Sequence, residues 1–65
     1  MGGTFDRDLE RLLRAAGCVP VRDGKGSHAV WKNPGNGRVF VVPQGIVSRH
    51  TANAVLKQAG LGKGF

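Results

Sequence analysis

Cysteine occurs once in this 65-residue chain, tyrosine not at all, and acidic residues only four times. The single Cys18 excludes an internal disulfide, and with only His28 and His50 beside it no zinc site or other metal is expected. No apolar run approaches the roughly 20 residues of a membrane helix, so no membrane partner is expected. The opening "MGGTFDRDLE" lacks the charged-then-apolar order of a signal peptide. These absences read as a cytoplasmic protein of a reducing compartment, with Cys18 as a small buried apolar residue. Rings are scarce as well: three Phe and one Trp leave few faces on which bases could stack.

The shortage of acid shapes the charge. Ten Lys and Arg against four Asp and Glu give +6, which points to a polyanionic partner rather than to solubility alone. Asp6, Asp8 and Glu10 are bunched near the start, Asp23 stands alone, and no acid follows Arg38. The length allows one domain, residues 1–65. A chain this short buries only about 60% of its unfolded surface, which leaves a thin stability margin. With disulfides and metals set aside, association with a partner is the remaining source of support.

"TFDRDLERLLRAAG" reads as an amphipathic helix: Phe5, Leu9, Leu12, Leu13 and Ala16 share a face at spacings of three and four. Thr4 is the expected cap, and Gly17 the stop. "CVPVR" is a short strand, marked as an edge by Pro20. "HAVWKN" alternates, sending His28, Val30 and Lys32 one way and Ala29, Trp31 and Asn33 the other. "PGNG" connects it to "RVFVVP" as a hairpin. "QGIVSRH" is an irregular link, "TANAVLKQAGL" a second helix burying Ala52, Val55, Leu56 and Ala59, and residues from about 62 to 65 a frayed tail. The order α-β-β-β-α predicts an α+β domain, a three-stranded antiparallel sheet with both helices on one face, as in double-stranded-RNA-binding domains.

The stretch "GKGSHAVW" delivers one imidazole to a strand start from a tight basic turn. It is no dinucleotide fingerprint, because a strand and not a helix follows. A His–Cys nucleophile pair lacks a third group to complete it. The chemistry that fits is a phosphodiester's. Gly24, Lys25, Gly26 and Ser27 would bring backbone N–H groups, a cation and a hydroxyl to an anion, with His28 at the lip. RNA cleavage needs no metal, because the substrate's own 2′-OH is the nucleophile, and a positioned acid or base contributes typically 10²–10⁴-fold. The plainer alternative is a partly exposed structural histidine.

"GKGSHAVWKNPGNGRVFVVP" followed by "TANAVLKQAGL" resembles the HicA family of toxins, the RNA-cleaving half of HicA–HicB toxin–antitoxin pairs. The similarity covers nearly the whole chain, and the Gly26-Ser27-His28 step in that setting is its most specific part. The resemblance implies an mRNA interferase, with His28 catalytic and a HicB-like antitoxin as partner. One feature departs from it: the family's P-x-H after the third strand is here Pro43-Gln44-Gly45, while His50 stands before the last helix. His50 either caps the approach to that helix or acts as a second proton-transfer group or phosphate contact.

Lys25, Arg22, Lys32, Arg38, Arg49 and Lys57 are the cations from which an RNA-docking strip would be built. The expectation is thus a metal-independent endoribonuclease without a cofactor. A non-catalytic double-stranded-RNA-binding module of the same fold is the alternative, and a small interaction domain the third reading.

Overall fold

The computed structural model describes residues 3–23, 28–62, 64 and 65. The chain runs α1 (Asp6–Ala15), β1 (Val19–Asp23), β2 (His28–Asn33), β3 (Arg38–Pro43) and α2 (Arg49–Gln58). The strands form one antiparallel sheet with β2 in the centre. This is the α-β-β-β-α arrangement of the double-stranded-RNA-binding fold, with both helices over one face. Pro20 lies in an edge strand, where the ladder does not need its missing N–H, and a bulge follows it between Pro20 and Arg22.

Strand alternation decides what each face carries. Trp31 pairs with Phe40 and Ala29 with Val42, on the side covered by the helices. Trp31, Phe40, Leu9, Leu13, Cys18, Ile46, Ala52, Val55, Leu56 and Ala59 form the core. Phe5 and Leu12 are half-buried at its edge, whereas Ala16, expected to share the buried face of α1, is exposed. Arg14 stacks over Trp31 at 5.3 Å and also bonds Glu10 at 3.1 Å, so this cation is occupied within its own helix and core.

Element ends differ from the sequence expectation where long-range contacts replace local ones. Thr4 does not cap α1. Phe5 holds the cap position without a side-chain bond, and its backbone N–H donates to Ile46 O at 2.8 Å. Asp6 turns its carboxylate outwards from the helix and accepts from the N–H groups of Gly45 (2.8 Å) and Ile46 (2.9 Å). The second helix begins at Arg49 rather than Thr51, with Ser48 as N-cap accepting from the His50 N–H at 3.2 Å.

The β2–β3 connection is the four-residue hairpin loop 34–37 expected from the sequence, and Gly37 takes a positive φ of +75° in it. Its polar groups serve α2. Asn33 and Asn36 both donate to Ala59 O, at 2.8 and 3.0 Å, and tie the hairpin to the end of α2.

The tail also differs from expectation. Asn53 accepts from the N–H groups of Gly64 and Phe65 and donates to Phe65 O. The Phe65 ring meets Phe5 edge-on at 5.1 Å. Frayed ends follow from a lack of partners, and here one asparagine and one ring supply them.

Candidate functional site

His28 opens β2 opposite Pro43 of β3, is exposed, and belongs to the sheet face that the helices leave uncovered. Cross-strand pairing arranges that face in rows. His28 and Pro43 form the first, Arg22, Val30 and Val41 the second, and Val19, Lys32 and Val39 the third. Paired side chains sit about 5 Å apart and successive rows about 7 Å apart, so Arg22 lies diagonally beside His28 and Lys32 about 13 Å along its own strand. Both cations are exposed.

The helix ends gather at the same edge of the domain. Asn33 and Ala59 meet at the far end of the sheet, so α2 begins at the end where Pro43 and His28 lie. Arg49 and His50 are exposed in the first turn of α2, where the helix dipole presents its positive pole. Yet they ride in the helix layer, whereas His28 faces the other side of the sheet. His28 and His50 thus lie at the same end of the sheet but in different layers.

Two expected members of the strip fall elsewhere. Arg38 pairs with Asn33, five residues along β2 from His28, and its side chain runs beside Gly60. That is the opposite end of the sheet and the opposite face, because Arg38 shares the register of Asn33. Lys57 lies in the last turn of α2, at the same remote end. Cys18 precedes Val19 in the third row, is buried, and stands far from His28, so no His–Cys pair exists. Burial raises its thiol pKa above the ordinary value.

The turn of Gly24, Lys25, Gly26 and Ser27 lies outside the described residues, and its role as a phosphate cradle stays an expectation from sequence. A cleft of about 150 Å³ opens on the other side of the same sheet end, between α1 and the strands. Trp31, Ala29 and Val42 line it together with Asp6 and Glu10, a setting that repels phosphate. Anions are thus favoured on the open face, where no described side chain is acidic.

Sequence reasoning missed the residues that hold this end of the domain in place. Asp6 stands in the first turn of α1, where an acid suits the helix dipole, and its bond to the link at Gly45 and Ile46 has no local signature. Gly45, where the resemblance would put a histidine, has φ +73° and donates its N–H to Asp6, with open space where a Cβ would stand.

The family model described as the HicA toxin of bacterial toxin–antitoxin systems matches residues 7–61. No match was found among curated proteins or among solved structures.

Proposed function

The chain belongs to the HicA toxin family, and from that premise we propose that it is an endoribonuclease whose central catalytic group is His28. The observation that carries this reading is a lone exposed imidazole at the start of the central strand, on the sheet face with Arg22 and Lys32 and without a described carboxylate. Among the described side chains no acid neutralises the approach of a phosphate there, and none bonds the imidazole in a way that would fix it for a structural task.

The reaction is transesterification within the RNA. The 2′-OH loses its proton and attacks the adjacent phosphorus, and the departing 5′-oxygen gains a proton. The products end in a 2′,3′-cyclic phosphate and a 5′-OH. His28 exchanges one of these two protons, as general base or general acid. Arg22, Lys32 and the Gly24–Ser27 turn supply cations and N–H donors for the phosphates on the face of His28, and Arg49, in the helix layer, serves a phosphate farther along the RNA. The nucleophile is built into the substrate, so no metal-activated water enters the scheme and the reaction proceeds in excess EDTA.

Recognition in this reading rests on shape and backbone. Trp31 and Phe40 are both buried under the helices, so the His28 imidazole is the one described ring that the open face offers to a base. An antitoxin of the HicB kind controls the enzyme by occluding His28.

The test is cleavage of a long single-stranded RNA in excess EDTA by the parent, His28→Ala and His50→Ala, each shown folded by circular dichroism. The expected result is loss of at least about 10²-fold with His28→Ala and near-parental cleavage with His50→Ala. Loss with both restores a two-histidine scheme. RNA bound but uncleaved by the parent identifies a non-catalytic binding module.

A further inference from the structure

An antiparallel sheet covered on one side ordinarily turns polar residues to water on the other. On the open face of this sheet the strands differ. β1 and β2 bring Arg22, Lys32 and His28 to it, whereas β3 brings Pro43, Val41 and Val39. Val39 and Val41 are 62% and 46% exposed, and Val30 stands half-buried between Arg22 and Val41. Val19, at the start of β1, closes the basic side beyond Lys32. The face is thus split lengthwise into a basic column and an apolar one, with neighbouring side chains about 5 Å apart across the strands.

A duplex cannot use both columns. Its bases are paired inward, so it presents phosphates and sugars, and on this face β3 offers those groups no charge and no polar side chain. An unpaired strand carries phosphates along one side and base faces along the other, which matches the two columns. With phosphates over Arg22 and Lys32, the bases lie across Val30, Val41 and Val39. A base face is poorly hydrated, and resting it on exposed methyl groups removes apolar surface of both partners from water. Such a contact holds every base alike, because it involves no hydrogen bond to a base edge. The helix layer is less suited to a polyanion: in α1, Arg11 pairs with Asp8 and Arg14 with Glu10.

We propose that RNA is bound unpaired along this face, with the valines of β3 as the platform on which bases beside the scissile bond rest. The proposal rests on the nuclease reading above and names the form of RNA that the site accepts. His28 heads the basic column and Pro43 the apolar one, so a strand laid on both carries a phosphodiester past the imidazole. The sheet face, and not the shape of a duplex, then selects the substrate.

The experiment measures kcat/KM for cleavage of one RNA in three forms. These are unpaired, annealed to its full complement, and unpaired with ribose-containing abasic residues on both sides of the mapped cleavage site. Four proteins are compared: the parent, Val39→Thr/Val41→Thr, Val41→Phe, and Val47→Thr as a control. Threonine and phenylalanine both suit an exposed strand position, and Val47, 74% exposed, lies in the link outside the sheet. The parent should cleave the unpaired RNA at least about tenfold better than the annealed or the abasic form. The double variant should lose about fivefold on the unpaired RNA, yet stay within about twofold of the parent on the abasic strand. Val41→Phe should gain about fivefold on the unpaired RNA, an increase that damage to the fold does not produce. Val47→Thr should match the parent on all three.

Equal cleavage of unpaired and annealed RNA, or of intact and abasic strands, overturns the proposal while the nuclease reading stands. A double variant that cleaves as the parent does also overturns it, and leaves the valines to a protein partner. An equal loss on the intact and the abasic strand does the same, because the valines then serve the fold or the phosphates. A parent that cleaves none of the three RNAs removes the nuclease reading, and the proposal falls with it.

Discussion

Asn33 is the one buried polar side chain among the described residues, 6% exposed, and both ends of its amide are used. It donates to Ala59 O at 2.8 Å and its oxygen accepts from the Gly35 N–H at 2.9 Å. Replacing it with alanine removes both bonds in a poorly hydrated place, and Asn33→Ala should cost about 1–3 kcal/mol. In a domain of this size that lowers Tm by about 4–8 °C for each kcal/mol, which thermal denaturation reads directly. Asn36→Ala should cost less, because Asn36 is exposed and water can replace its bonds.

Cys18 gives a pH prediction. Its thiol pKa is raised by burial, so the unfolded chain loses the proton first as pH rises. The stabilisation is therefore complete below the thiol's ordinary pKa of about 8.5 and is lost as pH climbs through the raised native value. Chemical denaturation between pH 7 and 10 should show this decline, and Cys18→Ala, although less stable throughout, should show a shallower one. A thiol reagent should label Cys18 slowly in the native protein and rapidly in denaturant.

At the scale of elements, the link between β3 and α2 is held from outside itself. Two N–H groups go to the Asp6 carboxylate, and Ile46 O accepts from Phe5 N–H. Asp6→Ala should destabilise by about 1–2 kcal/mol and accelerate hydrogen exchange at the Ile46 amide before the core strands respond. The glycine after α2 is constrained more tightly. Gly60 has φ +82°, and a Cβ there would collide with the Asn36 amide that bonds Ala59 O. Gly60→Ala should therefore cost more than Gly45→Ala, where φ is +73° but the space is open. Paired urea titrations check the order.

The strands and the helical faces were legible in the chain because period two and period 3.6 are written in adjacent residues. Residues 28–33 alternate cleanly, residues 39–43 form a continuous apolar run, and the bounds of both strands agree with the structure. The start of α2 is set locally by the Ser48 cap on the His50 N–H and was open to reading, but the cap of α1 and the fate of the tail were not legible. Their partners lie 39 or 40 residues away for Asp6, and 12 residues away for the Asn53–Phe65 bond.

At the scale of the molecule, charge and surface follow from how the sheet is covered. Three of the four acids lie in α1, and Asp8 pairs with Arg11 while Glu10 pairs with Arg14. The unneutralised cations remain for a polyanion. Binding of single-stranded RNA by non-cleaving His28→Ala should fall about 2.6-fold per phosphate neutralised when salt rises from about 50 to 200 mM. Fluorescence anisotropy on a labelled RNA measures this slope. Arg22→Ala and Lys32→Ala should each make the slope shallower, whereas Arg38→Ala, at the far end of the sheet, should leave it close to the parent's.

The sequence by itself determined the α-β-β-β-α order, the side of β2 on which His28 lies, and the basic excess, because each is a property of neighbouring residues or of their sum. It also carried the family, through the spacing of short motifs along the chain. Only the tertiary structure decided which of the cations accompany His28, since that depends on strand register and on the layer to which each element is assigned. Register set Arg22 on the face of the histidine, where alternation along β2 already put Lys32, and sent Arg38 to the remote end. It also left Val19, Val39 and Val41 exposed around a half-buried Val30, because burial is a property of what packs above a residue, and no stretch of sequence states what will be above it.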